Sequence, residues 1–476
     1  MSFVHALKWS FLAELASKAI TPIVFIVLAR LLTPEDFGVM SAALMVIAFS
    51  QIFWEAGMGK ALIQRQTDVE DAANIAFWVN SGLGILIAGL IFWGATPIAL
   101  TFFQDDRVTA VLQVMTLQVL LGALSSVQTA LLQKQMGFKK LFWVRLMTVA
   151  LPSFASIPLA WYGMGYWALV GGTLTGQAFQ VFLLWRVSSW RPALRFPFVI
   201  AKQMVQFGSW VGAYGILGWF YLWADSLVVG KYLGIHDLGL YRNGNQFAIF
   251  IFGVFFSPVL PVLYSHLSRI KEEPGRLIDN FLKVSKVTTL LSVSTAIVIY
   301  SFSKQIGLAL FGQQWEGIGF VIGVLALSHG FSWVAGLNGE IYRAMGKPSY
   351  ETIVSGSTLL IYLAVYIYAI QISFEVFVWA RFGLAIFALI LHLYLLDWIL
   401  NIRVTLLLAY SLKIAVVALC IVTSINLIVT DSLENAWSIL IIGVLGSMFC
   451  LGGALYIIER NGVVRGLLEM ARNSRD

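Results

Sequence analysis

The sequence predicts an all-α integral membrane protein of about 14 transmembrane helices, built as two pseudo-symmetric six-helix lobes plus two C-terminal helices. Three observations lead there. Hydrophobic residues make up 59% of the 476 and charged residues only 12%, about half the roughly 25% of a soluble domain. No soluble interior could hold that surplus, and the mean hydropathy of +0.84 agrees. Apolar runs of about 20 residues, the length that crosses about 30 Å of hydrocarbon, recur along the chain. Basic residues alternate between the segments joining those runs, as the positive-inside rule requires.

The runs fall at 9–29, 37–55, 75–94, 108–132, 141–162, 166–185 and 208–230, then at 247–263, 284–302, 318–337, 353–370, 374–396, 406–430 and 437–458. Each is too long and too uniformly apolar for a barrel strand, which alternates over about 10 residues. The first run is followed by no small-residue cleavage site, so it is expected to stay as a helix. Place the N-terminus in the cytoplasm. The outer segments then hold only Arg30, Arg107, Lys231, Arg242 and Lys304, while Lys18, Arg381 and Lys413 lie within runs. Every other Lys and Arg falls on the inner side, so both termini are expected to be cytoplasmic. The net charge of +7 thus belongs to loops beside an anionic leaflet, not to a nucleic-acid surface. Short outer segments leave no room for an external domain. The inner segment 266–286 is expected to include a short interfacial helix. Cys420 and Cys450 sit in apolar runs, with no disulfide framework or metal-ligand spacing.

An internal repeat supports the two lobes. At an offset of 201, Arg30 meets Lys231, Leu32 meets Leu233, Asp36 meets Asp237 and Gly38 meets Gly239. Met136-Gly137 echoes Met345-Gly346 after the fourth helix of each set. Six spans per unit make the repeats parallel, related by an axis along the membrane normal. The expected divisions are 1–200, 201–402 and a remainder of 403–476 with the two extra helices and a basic tail.

Charged residues inside spans are costly and therefore candidates for function. Glu14 and Lys18 are four apart and share one helix face. They are either a self-neutralising insertion pair or a phosphate anchor, Lys18, tuned by Glu14. Trp210, Tyr214, Tyr221 and Asp225 fall within about 60° of arc on a helical projection. That face suits sugar stacking with a carboxylate for a glycan or ion contact; it equally suits an aromatic belt ending in an interfacial Asp. Arg381 is a secondary candidate that pairs with Glu375 or snorkels outward. Glu55, near the inner end of its run, reads as interfacial. There is no P-loop, HExxH or nucleophile elbow, and no His pair at metal spacing. The chain is thus expected to be a transporter rather than an enzyme, without cofactor or metal, driven by an ion gradient or by its substrate's own gradient.

Several motifs carry a family resemblance. They include LARLLTPEDFG at 28–38, GMGKALIQR at 57–65, QKQMGFKK at 133–140, GYWALV at 165–170 and DSLVVGKYLG at 225–234. Over about residues 10–350 the ordered set resembles the polysaccharide flippase branch of the multidrug/oligosaccharidyl-lipid/polysaccharide exporter superfamily, of the colanic-acid-exporter type. The resemblance implies V-shaped lobes around a central cavity in a bacterial inner membrane. It implies alternating access that moves an undecaprenyl-diphosphate-linked repeat unit to the periplasmic leaflet for surface polysaccharide biosynthesis. Basic residues would hold the diphosphate, a role that fits Lys18 and Arg30 by position. Asp225 would serve coupling to a proton or sodium ion, or contact the glycan. Membrane lipids, a polysaccharide polymerase and export machinery are the implied partners. Two other readings stay open: an ion-coupled drug/cation antiporter of the same fold, and a membrane glycan polymerase or ligase, which would want a large outer loop with Arg or His.

Overall fold

A computed structural model describes residues 20–55, 57–257, 259–347, 349–400 and 404–459. Among these residues every regular element is helical and no strand occurs. Contacts divide the chain into two compact units, the first ending at Gly239 and the second starting at Leu240.

The first unit contains α1 (Ile20–Leu31), α2 (Pro34–Glu55), α3 (Met58–Gln64), α4 (Val69–Ile98), α5 (Asp106–Lys134), α6 (Phe138–Trp161), α7 (Tyr166–Val187) and α8 (Phe198–Leu233). Apolar residues surround α2 on all sides, and such a helix belongs in an interior. It is the unit's centre, packed by α4, α5, α7 and α8, with Val39, Ala42 and Ala43 fully buried. By contrast α4, α6 and α7 each bury only 28% of their most apolar stretch. Trp93, Phe154 and Phe182 stand exposed on them, as lipid-facing side chains do. Pro97 cannot donate to the α4 ladder, and the helix then widens into a π turn at Ala99–Phe103. On α7, a Cβ at Gly176 would press into the ring of Pro152 on α6. Small residues of this kind let membrane helices approach closely. The Lys134 amine donates to the carbonyls of Ile63 (3.0 Å) and Arg65, closing the C-terminal end of α3.

Next come α9 (Ile235–Phe256), α10 (Val259–Arg269), α11 (Pro274–Ser301), α12 (Ser303–Ile306), a π turn at Gly307–Phe311, α13 (Ile318–Ser332), α14 (Asn338–Ala344), α15 (Ser349–Ile370), α16 (Phe374–Leu400), α17 (Val404–Ser432) and α18 (Ala436–Glu459). The 15-residue α13 is almost wholly buried. It lies between α11 and α16, while α17 packs on α11 and α18 on α17.

Ten of the described helices are long and apolar enough to cross a membrane, and α1 and α13 are shorter apolar helices. Hydropathy on the structure therefore supports ten spans, not the full fourteen expected. The four that differ are α1 and α13, which are shorter among the described residues, α8, rich in Gly, Trp and Tyr, and α9, whose first half is polar. The run expected at 247–263 is in fact two elements. The helix begins at Ile235 and ends at Phe256, and 259–269 is a separate amphipathic helix. Asn243 and Asn245 look like loop residues in the sequence, yet they are buried in α9. The expected loop 266–286 is shorter than foreseen. Its polar residues from Arg276 onward ride on the first turns of α11.

Candidate functional site

The described residues of the first unit line an open, largely apolar recess with a few polar side chains where α2 ends. Gly57, at φ +65°, turns the chain into α3. A Cβ there would meet Gly208 and Val211 of α8 at 2.8–2.9 Å, so the backbones can meet only with glycine at 57. Gly212, Gly215 and Gly218 continue along α8 and leave an opening of about 290 Å³. Gln51, Glu55, Lys60 and Trp219 line it. Gln51 Nε2 donates to Glu55 Oε2 at 3.1 Å, which fixes the carboxylate's direction. Trp219 Nε1 donates to the Met45 carbonyl at 3.1 Å, and its ring lies 4.8 Å from that of Phe49. The recess thus offers one carboxylate, one amide, one exposed amine and an indole face.

None of the described sequence candidates lines this recess. Glu14 and Lys18 lie outside the described residues. Arg30 is exposed at the end of α1. Trp210, Tyr214 and Tyr221 are 77%, 68% and 46% exposed along one face of α8, and none of them lines the recess. Asp225 shares their angular position but is only 5% exposed, because α2, α4 and the π turn cover the outer half of α8. Its Oδ1 accepts from the Ser226 amide (2.6 Å) and hydroxyl (3.2 Å). Arg381 is half-buried on α16. By sequence Glu55 reads as interfacial and Trp219 is not singled out. Only their meeting across α2 and α8 marks them.

The turns after α1 and α8 bring positions matched at the offset of 201 into contact. Thr33 and Asp36 cap each other reciprocally: the Thr33 amide donates to Asp36 Oδ2 at 3.0 Å and the Asp36 amide to Thr33 Oγ1 at 3.4 Å. Any Cβ on Gly38 would collide with the Ile235 carbonyl, and any Cβ on Gly239 with the Pro34 carbonyl. Glu35 pairs with its own counterpart, His236, at 2.7 Å. Nearby, Asp105 caps α5 through the Arg107 amide and binds its guanidinium at 2.7 Å. Burial raises the Asp105 pKa, but the hydrogen bonds and charge of Arg107 outweigh it and hold the carboxyl below its usual range.

Two features of the second unit complete the set. An apolar groove of about 1020 Å³ runs between α9, α11 and α18, lined by Phe247, Leu291, Val298, Leu445 and Leu455 among others. Elsewhere in the same unit, His329 Nε2 sits 2.9 Å from Asn245 Oδ1.

These features can be set beside known proteins. Over 322 residues the chain is 27% identical to the succinoglycan biosynthesis transport protein ExoT of Rhizobium meliloti (strain 1021), covering 68% of this chain and 65% of that protein. It is 23% identical over 359 residues to the teichuronic acid biosynthesis protein TuaB of Bacillus subtilis (strain 168), covering 75% and 74%. Its fold is similar to that of the lipid II flippase MurJ in an inward closed conformation, with a TM-score of 0.78 and 14% identity, over 96% of this chain and 99% of that one. Residues 27–319, more than half of the sequence, match the family described as polysaccharide biosynthesis protein, and the chain belongs to that family.

Proposed function

We propose that this chain carries a lipid-linked oligosaccharide, a repeat unit on undecaprenyl diphosphate, from the cytoplasmic to the periplasmic leaflet of a bacterial inner membrane by alternating access. The observation that carries the reading is the first-unit recess. A carboxylate, an amide, an amine and an indole gather at the end of a membrane-spanning helix in a polysaccharide-biosynthesis protein. Diphosphate and sugar cannot cross about 30 Å of hydrocarbon unaided, and a recess with polar side chains lowers that barrier. The apolar groove of the second unit, by its lining, suits a polyprenyl chain, which supports a lipid-borne cargo. The names of the relatives, a succinoglycan transport protein and a lipid II flippase, support the same class of cargo.

In this reading Lys18 and Arg30 hold the diphosphate, with Glu14 tuning Lys18. Trp210, Tyr214 and Tyr221 stack on sugar from the open face of α8. Asp225 couples transport to a proton or sodium ion or contacts the glycan, and Arg381 is a secondary contact. A polymerase and export machinery take the product.

The test is a deletion strain complemented with variants. Wild type restores surface polysaccharide. Lys18→Ala and Glu55→Gln insert at normal levels but fail to restore it, and in spheroplasts the lipid-linked oligosaccharide pool stays protected from an added glycosidase. Normal surface polysaccharide in the deletion strain, or a fully accessible pool, overturns the reading.

A further inference from the structure

The second unit holds a cavity of about 890 Å³ that the proposed path does not use. It opens where α11, α12, the π turn after it and α13 meet α17, on the side that loop charge assigns as outer. Its lining mixes rings with neutral polar groups and one charge of each sign: Tyr300, Phe320, Gln313, Asn426, Lys304 and Glu316. Tyr300 and Phe320 both lean on Trp379, at centroid distances of 6.2 and 6.3 Å, so this wall is braced. Asn426 Nδ2 donates to the Ser301 carbonyl at 3.0 Å, which fixes the amide's orientation. Its Oδ1 is then buried and accepts from nothing. The amide thus stands in the cavity wall with a set orientation.

The chemistry selects among ligands. A phosphate group favours clustered bases, and here the single Lys304 is balanced by Glu316. An acyl chain would leave the polar groups unpaired. Aromatic walls joined to amide and hydroxyl groups suit a polyhydroxyl ligand, and the volume falls in the small-molecule range of about 300–1,000 Å³. The cavity also adjoins the apolar groove. Ile306 and Leu310 line the groove while Gly307 and Leu308, between them, line the cavity.

We propose that this cavity is a saccharide-binding site that takes the oligosaccharide of the cargo once it reaches the outer leaflet. The proposal rests on the translocation reading for its cargo and its side. The test uses the full chain in phospholipid nanodiscs. The probe is the oligosaccharide released by mild acid from the surface polysaccharide of the same cells, read by saturation-transfer NMR. Saturation should pass to the sugar ring protons. Asn426→Leu, Tyr300→Ala and the exposed-site variant Lys304→Ala should each weaken binding about tenfold, the effect of losing one good contact, while Tyr300→Phe keeps it. Absence of transfer, or equal affinity in wild type and all three weakening variants, overturns the site. The deletion-strain phenotype is independent of this measurement. Normal polysaccharide there sinks the translocation reading, whereas lost polysaccharide with no saturation transfer sinks only the site.

Discussion

Asp105 shows how a single side chain can organise an outer turn. It caps α5 and grips Arg107, and its carboxyl is held below the ordinary range. A folded-state pKa below the unfolded value adds stability above the usual carboxylate range, lost as pH falls through that range toward the folded value. Asp105→Ala should cost about 1 kcal/mol, the usual worth of an N-cap, and should flatten the acid limb of a thermal-melting profile. An unchanged limb would show that the cap contributes nothing. Asp105 is not picked out from sequence, although an Asp just before an apolar run is a helix-start signal. Glu55 could not be read as part of a recess, since a carboxylate at the end of a run is ordinarily interfacial. Only contact with the glycine face of α8, some 150 residues later, distinguishes it.

At the scale of elements, hydropathy was a good guide wherever a helix faces lipid. The runs at 75–94, 108–132 and 353–370 lie inside α4, α5 and α15 with only their ends extended. It failed where polar residues are satisfied inside protein. The first half of α9 carries Asn243 and Asn245, and pairing such as that of Asn245 with His329 removes the penalty that would otherwise forbid them. The aromatic face of α8 failed differently. Helical periodicity placed Asp225 correctly in angle, but angle does not say which neighbours cover the outer half of the helix. The same reasoning gives a prediction for the outer turn. Gly38→Val must displace the Ile235 carbonyl, so it should lower the melting temperature of the purified protein by several degrees. Gly253→Ala, with open space around it, should not. Equal melting of the two variants would refute the tight approach.

For the whole molecule, the extra helices are more than an appendage. The α17 helix walls the outer cavity and α18 walls the apolar groove, so a chain truncated after residue 403 should lose both. That chain should still insert, judged by membrane fractionation, yet fail to restore surface polysaccharide. Full restoration would remove the two helices from the transport cycle. By sequence these helices fall outside the expected six-helix repeat, but nothing in the sequence shows that they wall two cavities. The outer turn carries the longest consequence. Gly38 presses on residue 235 and Gly239 on residue 34; each pair is the other shifted by 201, and Glu35 meets its own image. A patch that binds its own copy with exchanged roles is an isologous interface, the kind that holds a twofold homodimer together. Within one polypeptide the contact has that isologous pattern, each side carrying the counterparts of the other side's residues. A substitution at either glycine therefore acts on a seam whose two sides are versions of the same residues.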